Sequence, residues 1–517
     1  MSLLTFCAEP QGFIKFSMND QQQSPQYLAA IDLGSNSFHL VVARIEDGHV
    51  HILDSLKEMV RLGGGLDKNG RLTEEARVRA LSCLDRFAER VQKLPQGSVA
   101  AVGTNTLRQA KNSRQFLQSA SEVLGHPISI IGGKEEARLI YLGVSHSLVA
   151  GDGKRLVMDI GGGSTELIIG EGFEPLHLSS LEMGCVSMSR AFFRNGMLSK
   201  QNWEKAKIAA HLELRPVRRH FRKVGWVSAT GASGTIRAAG SIVKALGLET
   251  YTITRDSLYE IRNRMIAAGH IKNLDLPGLD SDRQPVFAGG LAILIATFEA
   301  LHIETMQISE GALREGLLYD RLGRIQSEDT RLKTVSSVQQ RFQISQNHAR
   351  RVSLTSHRLL TACEKAWNLR LEDAERLHWA SSLHEIGLAV SLSGYQKHGA
   401  YLLYHADLPG FSLEEQAWMS VLVRCHRKKI SKKLFEGLPE KDQETALRLA
   451  ILLRLATLLH RSRKDETAVI EQVIASENNL TLQFVPYELI NHPLQRTSLE
   501  QEAKYLKNVG INLKFTS

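Results

Sequence analysis

Cysteine is scarce in this sequence of 517 residues, and the few cysteines show no pairing pattern. They are five in number and scattered without a Cys-x-x-Cys pair: Cys7, Cys83, Cys185, Cys363 and Cys425. This usage excludes a disulfide framework and gives no sign of a zinc–thiolate site. We therefore expect a protein of a reducing compartment, the cytoplasm.

Long apolar runs are also missing, since no stretch approaches the roughly 20 apolar residues of a membrane span. The opening segment, "MSLLTFCAEPQGF", holds a short apolar run without a basic flank, and Glu9 soon interrupts it. A secretory signal is therefore not indicated. We expect residues 1–25 to form a polar, disordered leader, with Met18 as an alternative start.

A concentrated charge of one sign is the third absence. The chain has 64 Lys and Arg residues against 55 Asp and Glu residues, which gives a formal net charge of +9. This is a mild bias toward polyanionic partners, without the dense basic surface of a dedicated nucleic-acid binder. We expect no nucleic-acid partner, and a loose peripheral association with the inner face of the cell membrane stays open.

The spacing of apolar residues divides the chain. From Tyr27 to about residue 325, short β-rich runs such as "YLAAIDL" and "RLVMDI" alternate with amphipathic helical stretches, which is typical of α/β layers. Helical spacing then prevails until "NLTLQFVPY" and "VGINLKFTS" near the end. The predicted domains are the leader over 1–25, α/β domains over 26–140 and 141–325, a helical domain over 326–470 and a small β-containing domain over 471–517.

An internal repeat relates the two α/β segments. The stretch "IDLGSNSFHLVVARIEDG" aligns with "MDIGGGSTELIIGEG" without a gap through the glycine-containing turn. The alignment places Asp32 over Asp159 and Ser37 over Ser164. Each copy is thus a strand that ends in Asp, a turn of small residues and a second strand.

The turn of each copy has the residues of an anion site. Glycine and small residues let backbone N–H groups approach a ligand closely and adopt positive φ, so such a turn can bind phosphate. One glycine-rich turn alone is usually only a tight turn, but two copies in register favour phosphate binding. The candidates are Gly34, Ser35, Asn36 and Ser37 in the first copy and Gly161, Gly162, Gly163 and Ser164 in the second.

Carboxylates flank these turns. A carboxylate beside a bound phosphate is repulsive unless a cation lies between them, so Asp159 and Glu166 are candidate Mg²⁺ ligands. Asp32 is the counterpart of Asp159 in the first copy, but His39 stands at the position of Glu166. We therefore expect the metal to belong chiefly to the second copy.

A third glycine-rich turn, residues 231–235, follows a strand and opens a helix. Its candidate phosphate-binding residues are Gly231, Ser233, Gly234 and Thr235, because a helix N-terminus attracts anions. A tightly packed strand-to-helix turn is the alternative. In "VGTNTLRQA", Arg108 is a candidate phosphate clamp, with an ordinary surface arginine as the alternative.

The stretch "IGGKEEARLIYLGV" supplies a candidate base at the start of a helix. Helical geometry places Glu136 near the middle of the apolar face that holds Leu139 and Val144, whereas Glu135 falls off its edge. We therefore expect only Glu136 to point inward. An inward carboxylate across a cleft from phosphate sites can act as a general base for water, and the alternative role is that of a helix-dipole partner.

These motifs, with "MGCVSMSRAFF" and "SEGALREGLLYD", occur in order over about residues 27–325. They resemble those of the Ppx/GppA (exopolyphosphatase/guanosine pentaphosphatase) family, of the actin, Hsp70 and sugar-kinase superfamily. The resemblance implies two RNase H-like domains, of the actin-like ATPase kind, with the active site between them, then an all-α HD-like domain and a small C-terminal α+β tail. It implies Glu136 as the base that orients water and Mg²⁺ on Asp159 and Glu166. Asp32, Arg108 and Glu310 are implied to line the cleft, and a monovalent cation such as K⁺ is a further candidate cofactor.

The activity implied is hydrolysis of the terminal phosphoanhydride of inorganic polyphosphate, which releases orthophosphate. Forms such as "DIGGGS", "VGTNTLR" and "VRCHRKK" favour this exopolyphosphatase activity over the alternative, the hydrolysis of pppGpp in stringent-response signalling. A non-catalytic module that binds (p)ppGpp or another nucleotide is an alternative of another class. The presence of Glu136, Asp159 and Glu166 together argues against that module, and a sugar kinase is weaker still.

The helical segment resembles an HD phosphohydrolase domain but lacks two of its acids. Glu385 follows His384 where Asp is expected, and Thr457 stands where the closing Asp would be. A second catalytic centre is therefore not expected. The basic stretch "VRCHRKKISKK" predicts a polyphosphate channel, possible across a homodimer, because a chain of phosphates needs a cationic track; a solvated basic face is the alternative. The channel residues are Arg424, His426, Arg427, Lys428 and Lys429.

Overall fold

The computed structural model describes residues 27–46, 49–148, 153–248, 252–326, 329–463 and 468–516. The leader expected over 1–25 lies outside these residues. Two compact units follow one another, an α/β unit over Gln22–Thr330 and a helical unit over Arg331–Ser517.

The first sheet of the α/β unit has the strand order β3-β2-β1-β4-β5. Strands β1 and β2 form an antiparallel hairpin, and β4 and β5 continue the sheet parallel to β1. The elements are β1 (Tyr27–Leu33), β2 (Phe38–Glu46), β3 (His49–Glu58), α1 (Glu74–Val91), β4 (Val99–Gly103), α2 (Asn105–Gln109), α3 (Ser113–Leu124), β5 (Ile128–Ile130) and α4 (Gly133–Ser147).

The second sheet has the order β10-β11-β9-β6-β7-β8. Here β6 and β7 form the hairpin, and β9 and β11 run parallel to β6. The elements are β6 (Lys154–Ile160), β7 (Thr165–Glu171), β8 (Glu174–Leu181), α5 (Cys185–Phe192), α6 (Lys200–Val224), β9 (Ser228–Ala232), α7 (Ser233–Ala245), β10 (Thr252–Thr254), α8 (Arg255–Ala268), α9 (Gln284–Leu301), β11 (Thr305–Ile308) and α10 (Leu313–Ile325).

The two sheets repeat one topology. The order β3-β2-β1-β4-β5 and its strand directions recur as β8-β7-β6-β9-β11. The registers agree as well, because Asp32 lies opposite His39 in one hairpin and Asp159 lies opposite Glu166 in the other. The internal repeat and the two RNase H-like sheets that the sequence predicted are confirmed.

Burial explains why alternating polar residues are rare in the central strands. In β6 and β7 nearly every residue is buried, as expected of strands covered by helices on both faces. Helix α9 is apolar all round for the same reason. Among the described residues it is the one helix long and apolar enough to cross a membrane, yet 78% of it is buried inside the unit, as in the core helix of a globular domain.

The helical unit combines a bundle with a three-stranded sheet in which β13 is antiparallel to β12 and parallel to β14. Bundle and sheet share one core, and the indole N–H of Trp367 donates to the Ser476 carbonyl at 2.9 Å. The elements are α11 (Thr330–Arg341), α12 (Gln346–Trp367), α13 (Leu371–Leu383), α14 (Tyr395–His405), α15 (Leu413–Cys425), α16 (Glu440–Leu459), β12 (Ile470–Ala475), β13 (Asn479–Phe484), α17 (Glu488–Asn491), α18 (Pro493–Lys507) and β14 (Asn512–Thr516).

Helices α4 and α10 of the α/β unit cross at two glycines. A Cβ atom on Gly143 would lie 1.9 Å from the Ala312 carbonyl oxygen, and one on Gly316 would lie 1.8 Å from the Leu139 carbonyl oxygen. This close crossing positions the start of α4, which carries Glu136.

Replacing Gly143 by alanine is expected to lower the midpoint of thermal unfolding of the full chain, measured by circular dichroism. The added methyl group overlaps the Ala312 carbonyl and must push α4 and α10 apart, and overpacking of this kind costs about 1–3 kcal/mol. Gly132→Ala is the matched control just before α4, since no atom lies within 4 Å of its new Cβ. Equal midpoints for the two variants would contradict the role of the crossing.

Candidate active site

A cleft in the α/β unit brings together the hairpin turns of both copies and the starts of several helices. It encloses about 110 Å³. The predicted site residues that line it are Asp32, Gly34, Ser35, Asn36, Ser37, Glu136, Asp159, Gly161, Gly162, Gly163, Ser164, Ser233 and Gly234.

The backbone of both turns keeps N–H groups available. The carbonyls of Ser35 and Asn36 each accept a hydrogen bond of 2.7 Å from the loop after β3, and those of Gly161 and Gly162 each accept one of 2.9 Å from the start of α5. The N–H groups of Ser35, Asn36, Gly162 and Gly163 donate to no group among the described residues. Because these donors lie at the cleft, an anion there can receive several hydrogen bonds at once.

The glycines of the second turn are required by close contact. A Cβ on Gly162 would lie 2.7 Å from the Ser35 Cβ, and one on Gly163 would lie 2.1 Å from the Asn105 Oδ1. None of the glycines in the two hairpin turns has positive φ, so the expected use of positive φ is wrong. The absent side chains let the second turn pack directly on the first, and both sets of N–H groups then meet in one cleft.

Four carboxyl groups gather beside the turns: Asp32, Glu136, Asp159 and Glu166. Asp32, Glu136 and Asp159 line the cleft, whereas Glu166 is fully buried beside Asp159 on the neighbouring strand. The Ser180 hydroxyl donates to Glu166 Oε1 at 2.8 Å. Glu166 Oε2 and Asp32 Oδ1 are buried without a hydrogen-bond partner.

The carboxyl cluster carries more negative charge than its surroundings offset. Burial, with repulsion from Glu136, raises the pKa of Asp32 to about 8 and that of Asp159 to about 7. Burial, Glu136 and Asp159 also raise the pKa of Glu166 well above its usual range. Carboxylate oxygens without partners are the ligands that Mg²⁺ prefers, so the residues present fit a bound magnesium ion.

Glu136 is held by Arg108. The Arg108 guanidinium donates to Glu136 Oε2 at 2.8 Å and to the Ile131 carbonyl at 2.8 Å. Burial raises the pKa of Glu136, and Arg108 opposes that rise. Arg108 is not among the residues that line the cleft, and its observed contact orients Glu136. The direct clamp on phosphate stays a prediction.

The expectation that Glu136 alone points inward is wrong, because both glutamates are 7% exposed. The neighbouring Glu135 forms an ion pair with Arg138 at 2.8 Å, and Arg138 also pairs with Asp320 on α10. Glu135 and Arg138 are one helical turn apart, but helical spacing could not show the second pair, since Asp320 comes from a distant part of the chain. The two acids differ in what they contact, and only Glu136 faces the cleft.

Three arginines of the cleft were missed: Arg237, Arg283 and Arg314. Two of them lie inside the motifs "GASGTIRAA" and "SEGALREG", where the spacing of about one helical turn from the glycine-containing turn was the available signal. Arg283 gave no signal in the sequence. A Cβ on Gly234 would lie 1.9 Å from its guanidinium, so this glycine makes room for Arg283.

His39, Thr104 and Asn105 also line the cleft, although no role was predicted for them. Arg314 donates to His39 Nδ1 at 3.2 Å, so His39 Nε2 carries the proton and donates to the Ser37 hydroxyl oxygen at 2.8 Å. Burial and Arg314 both lower the pKa of His39, which keeps the ring neutral. The first copy thus has a neutral side chain where the second has Glu166.

Three other predicted residues lie outside the cleft. Gly231 belongs to β9 and faces Ile236, and Thr235 is 2% exposed. The Glu310 side chain is 89% exposed and lies 3.6 Å from Arg237, so it does not line the cleft as expected.

The predicted polyphosphate channel lies in the helical unit. His426, Arg427 and Lys428 line a cavity there, whereas Arg424 and Lys429 do not. The polyphosphate channel itself stays a prediction.

Comparison with known proteins agrees with the motifs. Residues 41–325 match the model of the Ppx/GppA phosphatase family, and residues 330–503 match the model of Ppx/GppA phosphatase domain III. The first match alone covers more than half of the chain.

The chain is 41% identical over 497 residues to the guanosine-5'-triphosphate,3'-diphosphate pyrophosphatase of Vibrio cholerae serotype O1, covering 95% of this chain and 98% of the relative. It is 39% identical over 490 residues to the protein of the same name from Photobacterium profundum, covering 94% and 97%. The crystal structure of an exopolyphosphatase from Cytophaga hutchinsonii is similar at a TM-score of 0.53 and 26% identity, over 58% of this chain and 98% of that one. The chain belongs to the Ppx/GppA phosphatase family.

Proposed function

We propose that this chain hydrolyses the terminal phosphoanhydride of the 5′-triphosphate of pppGpp and releases orthophosphate. The observation that carries the hydrolysis is the cleft itself, in which unpartnered N–H groups of two turns face a cluster of carboxyls that includes Glu136. The choice of pppGpp is supported by relatives that are 39–41% identical over nearly their whole length and are named for that nucleotide.

Inorganic polyphosphate is the second candidate substrate. The motif variants in the sequence favoured it, and the similar Cytophaga hutchinsonii protein is an exopolyphosphatase. The relatives of higher identity support the alternative, pppGpp, better than this first preference. Both substrates end in a phosphoanhydride-linked phosphate, so the same cleft chemistry serves either.

In the proposed reaction, water attacks the terminal phosphorus in line with the leaving phosphate oxygen. Glu136 accepts the proton of that water, and Arg108 fixes the carboxylate by its 2.8 Å hydrogen bond. Positioning and charge stabilisation provide most of the rate acceleration in phosphoryl transfer. The N–H groups of the turns, with Arg237, Arg283 and Arg314, would contact the phosphate oxygens.

Magnesium is part of this proposal. The predicted ligands are Asp159 and Glu166, and of the two only Asp159 lines the cleft. Asp159 would hold the ion together with Asp32 of the first hairpin, and the buried Glu166 carboxyl beside Asp159 would be a further ligand. A bound Mg²⁺ would offset the negative charge that develops on the transferred phosphoryl group. The role of K⁺, the homodimer, the cytoplasmic location and the peripheral membrane association stay predictions.

Glu136→Gln is expected to lower kcat for phosphate release about 10²- to 10⁴-fold, because the amide cannot accept the proton of water. The measurement is orthophosphate release with Mg²⁺. Glu304→Gln, a change at an exposed glutamate of the same unit, is the control and should retain activity. Turnover of Glu136→Gln close to that of the control would show that another group is the base.

We expect a higher kcat/KM for pppGpp than for long-chain polyphosphate when both are assayed with the same Mg²⁺ concentration. A higher value with polyphosphate would move the assignment to the second candidate. Nucleotide binding without phosphate release from either substrate would contradict hydrolysis.

Asp159→Asn is expected to raise the Mg²⁺ concentration needed for half-maximal activity at least about tenfold, because one carboxylate ligand is lost. Isothermal titration with Mg²⁺ should show the same weakening without any substrate present. Asp256→Asn changes an exposed aspartate of α8 in the same way chemically and should leave both measurements unchanged. An unaltered Mg²⁺ affinity in Asp159→Asn would remove Asp159 from the metal site.

A further inference from the structure

The helical unit contains a cavity that is larger than the cleft of the α/β unit. It has a volume of about 520 Å³ and is lined by residues of α12, α14, α16 and α18 and of the segments that follow α13, α15 and α16. This volume is within the range of sites that hold small molecules. Part of the basic stretch predicted to form a polyphosphate channel thus lines this cavity.

The acceptor groups of this cavity are largely paired. Glu385 accepts a hydrogen bond from Arg463, and Glu502 Oε2 accepts one from Arg454 at 2.9 Å. The Tyr395 hydroxyl lies 3.3 Å from His426 Nε2. Because His426 Nδ1 is bonded to the Val423 carbonyl at 2.6 Å, that nitrogen carries the proton and Nε2 accepts from Tyr395.

The cationic donors of the cavity are not paired in the same way. No carboxylate among the described residues forms an ion pair with Arg427, Lys428 or Arg461, all of which line the cavity. Arg427 lies over the Tyr395 ring with its guanidinium carbon 4.4 Å from the ring centre, and its Nε is buried without a hydrogen-bond partner. An unpartnered buried donor on a cation is costly unless an anion accepts from it.

The loop that carries Arg427 and Lys428 is held in place by the buried side chain of Arg454, which is 1% exposed. Arg454 donates to the carbonyls of Cys425 at 2.5 Å and Lys428 at 2.7 Å. Lys428 has a φ of +65°, in the left-handed region that a lysine rarely adopts. Such a conformation persists only where the surroundings fix it, and such positions cluster at ligand sites.

A metal ion is the competing occupant, since His348, His384 and Glu385 place ligand atoms within 4.8 Å of one another. Their only carboxylate, Glu385, is held by Arg463. Arg427, Lys428 and Arg461 also line the cavity, as does Arg454, which pairs with Glu502, so a divalent cation would enter against net positive charge. The same net positive charge would attract an anion.

We propose that this cavity binds the phosphate groups of a small phosphorylated ligand through Arg427, Lys428 and Arg461. The site lies in a different unit from the catalytic cleft, and it does not depend on which substrate that cleft hydrolyses. A nucleotide and a short inorganic polyphosphate share the chemistry that these cations recognise.

Hydrogen–deuterium exchange of the full chain, read by mass spectrometry, tests the proposal. GTP or inorganic tripolyphosphate is added in EDTA, so that hydrolysis does not remove the probe. Either compound is expected to slow exchange in peptides that cover residues 423–430 and 458–463. Greater protection by GTP would identify a nucleotide as the ligand, and equal protection would identify the phosphate chain; both outcomes support the site.

The double variant Arg427→Gln, Arg461→Gln is expected to raise the probe concentration needed for half-maximal protection at least about tenfold, because two charge-assisted hydrogen bonds are lost. Lys507→Gln removes one exposed positive charge of α18 outside the cavity and is the control. Exchange in peptides of the α/β cleft, measured without the probe, shows whether each variant is folded. The change in that exchange on adding the probe shows binding to the cleft, separate from binding to the cavity.

No protection of either helical peptide by either compound would overturn the proposal, as would protection that the double variant retains in full. A third experiment adds Mn²⁺ alone. If Mn²⁺ protects these peptides in the absence of any phosphate compound and the phosphate compounds do not, the cavity is a cation site and the proposal is wrong.

Discussion

The direct contact between two hairpin turns is the constraint on which the cleft depends. Gly162 and Gly163 have no side chains to hold Ser35 and Asn105 away, so the two turns touch through backbone and Cβ atoms. This contact brings two sets of N–H donors to one place. It also brings the strand-end carboxyls of both sheets near one another. Burial and repulsion from Glu136, with a smaller part from Asp159, raise the pKa of Asp32 to about 8. The proposed phosphate site and the proposed magnesium site therefore have a single structural origin.

A second contact orients the chemistry within that cleft. The crossing of α4 and α10 at Gly143 and Gly316 places Glu136 and Arg314 on two helices that cannot shift independently. Interiors are close-packed, so a helix pair without intervening side chains transmits position accurately. Arg108 then sets the direction of the Glu136 carboxylate from the first sheet. The proposed base and one of the arginines that line the cleft are thus positioned by backbone contacts between helices.

The sequence predicted what is local and repeated. The turns, Asp32 and Asp159 follow buried strands in the same order twice, so the α/β class, the repeat and most of the cleft could be read from contiguous motifs. Residues that reach the cleft from elsewhere could not. Arg283 precedes a core helix with no motif around it, and the burial of Glu135 depends on ion pairs that link α4 to α10. The enclosed cavity of the helical unit likewise arises where several distant helices meet, which no stretch of ten residues reveals.

The two copies of the repeat differ at several positions, and one of these differences sets His39 in the first hairpin against Glu166 in the second. On the side of the first hairpin, a neutral imidazole at His39 steadies the Ser37 hydroxyl. On the side of the second, the buried Glu166 carboxyl lies beside Asp159, and its pKa is raised well above its usual range by burial and by neighbouring carboxyls. The two sides of the cleft are therefore unlike, and a linear polyanion laid across it meets a different environment when it is reversed end to end. The duplicated fold supplies the two turns, and the differences between the copies, His39 against Glu166 among them, make the two sides of the cleft unlike.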